Sequence, residues 1–174
     1  MFCAMVSLLL YLINIMSLEK LKTAEELASV RNGLEAKGRK MVFTNGCFDL
    51  LHVGHVRYLE EARELGDALV VAVNGDASVS ALKGPTRPIN NELERAEVLA
   101  ALESVTYVTI FRTMRVTELI KQVRPQIYAK GGDYTVDSLD PEERVTLEAA
   151  GCDIRILALV PGKSTTAIIK KWRS

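Results

Sequence analysis

The chain has 174 residues, 48% of them apolar and 25% charged, which suits one folded domain with an ordinary core. Twenty-two basic residues cancel twenty-two acidic ones, so no global field would hold nucleic acid or an anionic membrane, and an anionic ligand must be met by local charge. Cys3, Cys47 and Cys152 form no disulfide framework and fit a reducing compartment.

Met1 to Met16 carry no charge. The stretch lacks the basic segment and small-residue cleavage site of a secretory signal, and it is short for a membrane span of ~20 residues. A weak anchor, an added hydrophobic helix and an over-extended start remain as readings. Met16-Ser17-Leu18-Glu19-Lys20 resembles an ordinary N-terminus and favours the last, with 1–16 as an extension and 17–174 as the domain. Residues 23–37 read as a scaffold helix: Thr23 and Glu26 form a capping box, Leu27, Val30 and Leu34 share a face, and Gly38 closes it.

Residues 41–66 carry the chemistry. Met41 to Phe43 reads as a buried strand, Thr44, Asn45 and Gly46 as a small-residue turn, and a helix runs from about Gly54 to its stop at Gly66. Strand, glycine-containing loop and helix N-terminus together form a phosphate-binding arrangement, because free N–H groups and the positive end of the helix dipole meet the anion. The only two histidines, His52 and His55, stand at this helix start with Gly54 between them. Neutral imidazoles donate hydrogen bonds to phosphate, and cationic ones add charge where a transition state becomes more anionic. Surface or core histidines are the plainer alternative. A zinc site from Cys47, Asp49, His52 and His55 is another, although a strand-to-helix turn scatters such ligands.

Ala68 to Val73 is a second apolar strand ending in Asn74-Gly75-Asp76, a turn at a sheet edge. Residues 83–91 form a stiff loop rich in Gly and Pro that carries Lys83 and Arg87, cations that such a loop can hold against a triphosphate. Asn91 caps a helix over 92–102 bearing Arg95, followed by a strand over 105–111. A short helix over 116–123 stops before Pro125, and a strand covers 126–130. Lys130-Gly131-Gly132-Asp133-Tyr134 follows, where adjacent glycines permit close backbone approach. A helix over 141–150 and a fifth strand over 154–160 lead to Pro161-Gly162-Lys163-Ser164-Thr165-Thr166 before a final apolar helix, an anion site by geometry. Strands alternating with helices imply a Rossmann-like, doubly wound, five-stranded parallel α/β sheet, with the loops after strands one, two, four and five converging at its C-terminal edge.

The run Thr44-Asn45-Gly46-Cys47-Phe48-Asp49 followed by His52-x-Gly-His55 resembles the HxGH nucleotidyltransferases, most closely the adenylyltransferases of ADP-heptose synthesis, over residues 18–173. That resemblance implies a nucleotidyltransferase domain that moves AMP from ATP, with Mg²⁺, to D-glycero-β-D-manno-heptose 1-phosphate for a surface glycan. His52, His55 and Lys83 would act at the phosphates, with the Thr44 to Gly46 backbone around the triphosphate and Phe48, Asp49 and Gly54 in the same motif. Asn74 and Asp76 would lie near the nucleotide, and Arg87 and Arg95 would reach phosphate. Lys130, Gly132 and Asp133 would border the acceptor sugar, while Ser164, Thr165 and Thr166 would grip the nucleotide. No carboxylate cage for a metal is evident, and Asp49 would instead orient the loop.

Two segments depart from the family. Arg112-Thr113-Met114-Arg115-Val116 stands where an acidic, Pro-containing segment is usual, and Lys163 where a small residue is usual. The resemblance also implies a cytoplasmic homodimer served by a separate kinase and phosphatase, with no nucleic-acid or stable membrane partner. Glycerol 3-phosphate cytidylyltransferase, FAD synthetase and a non-catalytic nucleotide-binding module are the alternatives.

Overall fold

A computed structural model describes residues 19–132 and 135–158, together with Thr165 and Ile168. The elements in chain order are α1 (Ala24–Glu35), β1 (Met41–Gly46), α2 (Val53–Glu64), β2 (Ala68–Asn74), α3 (Asp76–Lys83) and α4 (Glu92–Ala100). They continue with β3 (Tyr107–Phe111), α5 (Thr117–Val123), β4 (Ile127–Gly131), α6 (Pro141–Ala150) and β5 (Asp153–Leu157). The five strands are all parallel in the order β3-β2-β1-β4-β5. The order reverses between β1 and β4, and a doubly wound sheet opens its ligand crevice at that point.

Strand residues alternate between two cores, as the pleat dictates. Val42, Leu69, Val71, Val73 and Val108 face α2 and α4, through Leu59, Ala62, Ala96 and Leu99. Met41, Phe43, Val70, Ala72 and Tyr128 face α1, α5 and α6, through Leu27, Ile120 and Leu147. Both expected caps form: Thr23 with Glu26 at α1, and Asn91 with Glu94 at α4.

Two local expectations change. Residues 44–46 are not a turn, because β1 continues through them, pairing Thr44, Asn45 and Gly46 with Val71, Ala72 and Val73. The strand tolerates its polar end because the Thr44 hydroxyl bonds Tyr58 Oη at 2.7 Å and Asn45 Oδ1 accepts from Tyr128 Oη at 2.5 Å. Asp76 opens a helix instead of closing a turn. Its N-cap, Gly75, offers no side-chain acceptor, and the Asp76 N–H instead donates to Glu92 Oε2 at 2.9 Å. That acceptor comes from a later helix, so no local pattern announces α3. Residues 1–16 and the end of the expected fifth strand, 159–160, lie outside the described residues. Among the described residues no helix is long and apolar enough to cross a membrane.

The α2–β2 connection depends on close backbone contact at Gly66. A Cβ there would lie 2.8 Å from both Lys40 O and Val42 Cγ2. Gly66→Ala is therefore expected to lower stability by about 1–3 kcal/mol, read as a lower urea midpoint with an unchanged m-value.

Candidate active site

A cleft of about 610 Å³ opens at the C-terminal edge of the sheet. The ends of β1, β2 and β4, the start of α2, the end of α3, the β3–α5 loop and the start of α6 all contribute to it. Of the segment after β5, Thr165 is described and lines the cleft, its Oγ1 donating to Leu50 O at 3.1 Å. Asp133, Ser164 and Thr166 lie outside the described residues.

His52 is the N-cap of α2, with extended backbone (φ −143°), and its Nδ1 accepts from the Gly54 N–H at 3.1 Å. The imidazole thus does the work usually left to Ser or Asp at a helix start. Because Nδ1 is an acceptor, the proton of the neutral ring belongs on Nε2. His55, one turn later, stacks on His52 with centroids 4.0 Å apart and planes 19° from parallel. The Phe48 ring meets His55 edge-on at 5.4 Å. Burial, with a smaller effect from neighbouring His52, pushes His55 down to about 4, so its ring is neutral near pH 7. Its Nδ1 is buried and has no hydrogen-bond partner among the described residues.

Asn45, Gly46, Phe48, Asp49, Gly54, Asn74, Lys83, Arg87 and Lys130 line the same cleft. Thr44, Asp76, Arg95 and Gly132 are not among its lining. Thr44 lies beneath it and is 1% exposed. Gly46 leaves room for its own neighbour, since a Cβ there would approach the Phe48 ring to 3.0 Å. Gly132 has φ +142° and its N–H donates to Leu157 O.

Two charged residues serve as clamps: Arg95, in place of the expected phosphate contact, and Asp49, which orients the loop. Arg95 is neither an exposed ion-pair residue nor open to the cleft, its side chain being 0% exposed. Its guanidinium donates to the carbonyls of Asn90, Cys47 and Asn74 and to Asp76 Oδ1. Asp49, nearly as deeply buried, accepts from the N–H groups of Ile89 (2.7 Å) and Asn90 (3.2 Å) and from Arg87 Nε. Arg87 is thereby paired with a carboxylate. Lys83 is exposed at the end of α3 and has no ion-pair partner among the described residues. Asn74 donates to Ser78 Oγ at 3.1 Å, holding the start of α3.

Lys130, at the end of β4, bonds Tyr128 Oη at 3.2 Å and Asn45 Oδ1 at 3.4 Å, and pairs with Glu143 at 3.8 Å. Sequence reasoning left Cys47, Tyr58, Leu82 and Leu139 out of the lining, and likewise Asp140 at the N-cap of α6 and Glu143 within it. Met114 and Arg115 also line it, and their segment had stood out only as a departure from a family pattern. No group of three or more His, Cys, Asp or Glu converges on a metal position among the described residues.

Comparison with known proteins places this geometry. A family model described as cytidylyltransferase-like matches residues 43–171. The bifunctional protein HldE of a Nitratiruptor species is 50% identical over 156 residues, covering 90% of this chain and 32% of that protein. HldE of Ectopseudomonas mendocina is 49% identical over 161 residues, covering 92% and 32%. The chain thus spans about a third of the length of the curated relatives it matches. Among solved structures, the lipopolysaccharide core biosynthesis protein from Thermoplasma volcanium has a TM-score of 0.57 and 29% identity, covering 71% of this chain and 98% of that one. Pantoate-beta-alanine ligase from Francisella tularensis, at TM-score 0.54 and 13% identity over 88% of this chain and 76% of that one, shares the fold. With a family match over most of its length and a stacked histidine pair at a Rossmann switch point, the chain belongs to the cytidylyltransferase-like family of nucleotidyltransferases.

Proposed function

We propose that this domain transfers AMP from ATP to D-glycero-β-D-manno-heptose 1-phosphate, giving ADP-heptose and pyrophosphate. The observation that carries the reading is the His52–His55 stack at the N-terminus of α2, in one cleft with Lys83. The motif likeness to the heptose adenylyltransferases and the kinship with HldE favour this acceptor. An acceptor phosphate oxygen attacks the α-phosphorus, the bond to the β-phosphate bridging oxygen breaks, and pyrophosphate leaves with the electron pair. The attacking oxygen is already anionic, so no general base is needed. Catalysis is positioning and charge stabilisation.

In this scheme His55 hydrogen-bonds the α-phosphate as a neutral ring, and His52 does so through Nε2. Lys83 neutralises charge on the β- and γ-phosphates, and Arg87 joins it if the triphosphate displaces Asp49. The Ser164 to Thr166 segment holds the nucleotide, and Thr165 is already tied to the loop ahead of α2 through Leu50. A magnesium ion would arrive on the triphosphate, a role it plays with few protein ligands. That ion would offset charge on the departing pyrophosphate. A kinase and a phosphatase acting earlier would supply the sugar 1-phosphate.

Pyrophosphate release should occur with ATP and heptose 1-phosphate, and not with CTP and glycerol 3-phosphate or with ATP and FMN. Turnover by another pair would keep the chemistry and overturn the acceptor. His55→Ala should lower kcat by roughly 10²–10³-fold, and Lys83→Met by about 10²-fold, the scale of losing one oriented donor to the reacting group. Lys83→Met should leave the melting temperature unchanged, because that side chain is exposed.

Burial of His55 also makes a pH prediction. Its folded value, about 4, lies below the ordinary 6.5, so the unfolded chain binds more protons in that window and stability falls as pH drops from 6.5 to 4. Urea unfolding across this range should show a steeper loss for the wild type than for His55→Gln. Equal slopes would contradict a buried, neutral His55.

A further inference from the structure

The cleft has two walls of different chemistry, rising from opposite faces of the sheet. The α2 wall carries the histidines, with Lys83 and Arg87 nearby and Asp49 as its carboxylate. The wall on the α5–α6 side carries Arg115 from the β3–α5 loop, Lys130 from the end of β4, and Asp140 and Glu143 from the start of α6. We propose that Arg115, Asp140 and Glu143 recognise the acceptor by reading adjacent hydroxyl groups of a polyhydroxylated phosphate ester, with Arg115 as the specificity-determining residue. This rests on the adenylyl-transfer reading above and assigns a part of the site which that reading leaves open.

Charge separates the two roles. On the α5–α6 side Arg115 pairs with Asp140 and, at 3.2 Å, with Glu142, while Lys130 pairs with Glu143. Three carboxylates therefore stand against two cations, and such a wall does not draw a phosphate when the α2 wall offers Lys83 unpaired among the described residues. Alternating donors and acceptors do suit hydroxyl groups. Each hydroxyl donates one bond and accepts others, so a vicinal pair can bridge a guanidinium and a carboxylate. Met114 and Leu139 line the same region and give the C–H face of a sugar an apolar surface.

These groups are also held before any ligand arrives. Asp140 divides its carboxylate: Oδ1 caps α6 by accepting from the N–H groups of Glu142 (3.0 Å) and Glu143 (3.3 Å), and Oδ2 holds Arg115. The backbone on either side of Arg115 is fixed too. Thr113 Oγ1 donates to Arg115 O at 2.6 Å, and Val116, fully buried, anchors the start of α5. The Arg115 side chain remains 45% exposed in the cleft. Of its five N–H donors the two ion pairs engage only some, which leaves others for a ligand. Ordering such a side chain in advance lowers what binding must spend on it.

The test measures steady-state pyrophosphate release with ATP and Mg²⁺ for wild type, Arg115→Met, Arg115→Lys and Asp140→Asn. The acceptors are heptose 1-phosphate, mannose 1-phosphate and the hydroxyl-free phosphoethanolamine. Arg115→Met should raise the KM for the sugar phosphate roughly tenfold, the scale of one charged hydrogen bond, with the KM for ATP and the melting temperature unchanged. Arg115→Lys should recover only part of this, since it keeps the charge and loses the planar fork. Asp140→Asn retains the capping oxygen and should act on the sugar KM through Arg115. A rise in the KM for ATP instead, or no change in either, would overturn the proposal. Wild-type transfer to phosphoethanolamine as efficient as to a sugar phosphate would overturn it while nucleotidyl transfer stands. If mannose 1-phosphate alone is used, the heptose assignment fails and the same variants decide the wall's role on that sugar. Absence of transfer to every acceptor would overturn both.

Discussion

The active edge depends on one buried guanidinium. Arg95 gathers the end of β1 through Cys47, the end of β2 through Asn74, the start of α3 through Asp76, and the 84–91 loop through Asn90. These four segments would otherwise splay, because strand ends and helix starts leave polar backbone groups without partners inside their own elements. A planar cation with five donors can satisfy several carbonyls at once in a way that no apolar side chain can. Its burial is tolerable because the donors are engaged, and breaking such a set costs about 3–5 kcal/mol. Asp49 does the complementary work with an anion, binding the same loop to the β1–α2 turn. Together they fix the frame within which Lys83 and the histidines stand.

That frame explains how the histidine pair fits its setting. His52 is spent as a helix cap and so has a defined tautomer. His55 is enclosed by Phe48 and His52 and is held neutral by burial. Two cationic imidazoles at 4.0 Å would repel one another, whereas neutral ones can both serve as donors at a helix N-terminus, where the dipole already favours an anion. In the proposed reaction these oriented dipoles act together with Lys83, which is exposed at the end of α3.

The motif was legible because its parts are adjacent in sequence. A strand, a glycine, two histidines three residues apart and a periodic helix are all visible within residues 41–66. The caps at Thr23 and Asn91 were legible for the same reason, each being a contact between residues three apart. Helix α3 was not, since the acceptor for its first N–H comes from Glu92. The true length of β1 was hidden as well: Thr44-Asn45-Gly46 has turn composition, and only Tyr58, Tyr128 and the β2 register make it a strand. Arg95 was picked out as important but given a phosphate-binding role, because sequence cannot distinguish a charge that meets a ligand from one that meets three carbonyls and a carboxylate.

By itself the sequence determined the fold class, the strand-to-helix motif and the family, all of which follow from short-range pattern and motif spacing. Tertiary structure alone decided which charges are open and which are spent. It turned Arg95 inward, set Arg87 against Asp49, left Lys83 exposed, and brought Arg115 to the cleft against Asp140. Those pairings join residues 19 to 38 positions apart, and their energies depend on burial and on partner geometry, neither of which a linear pattern of residues carries.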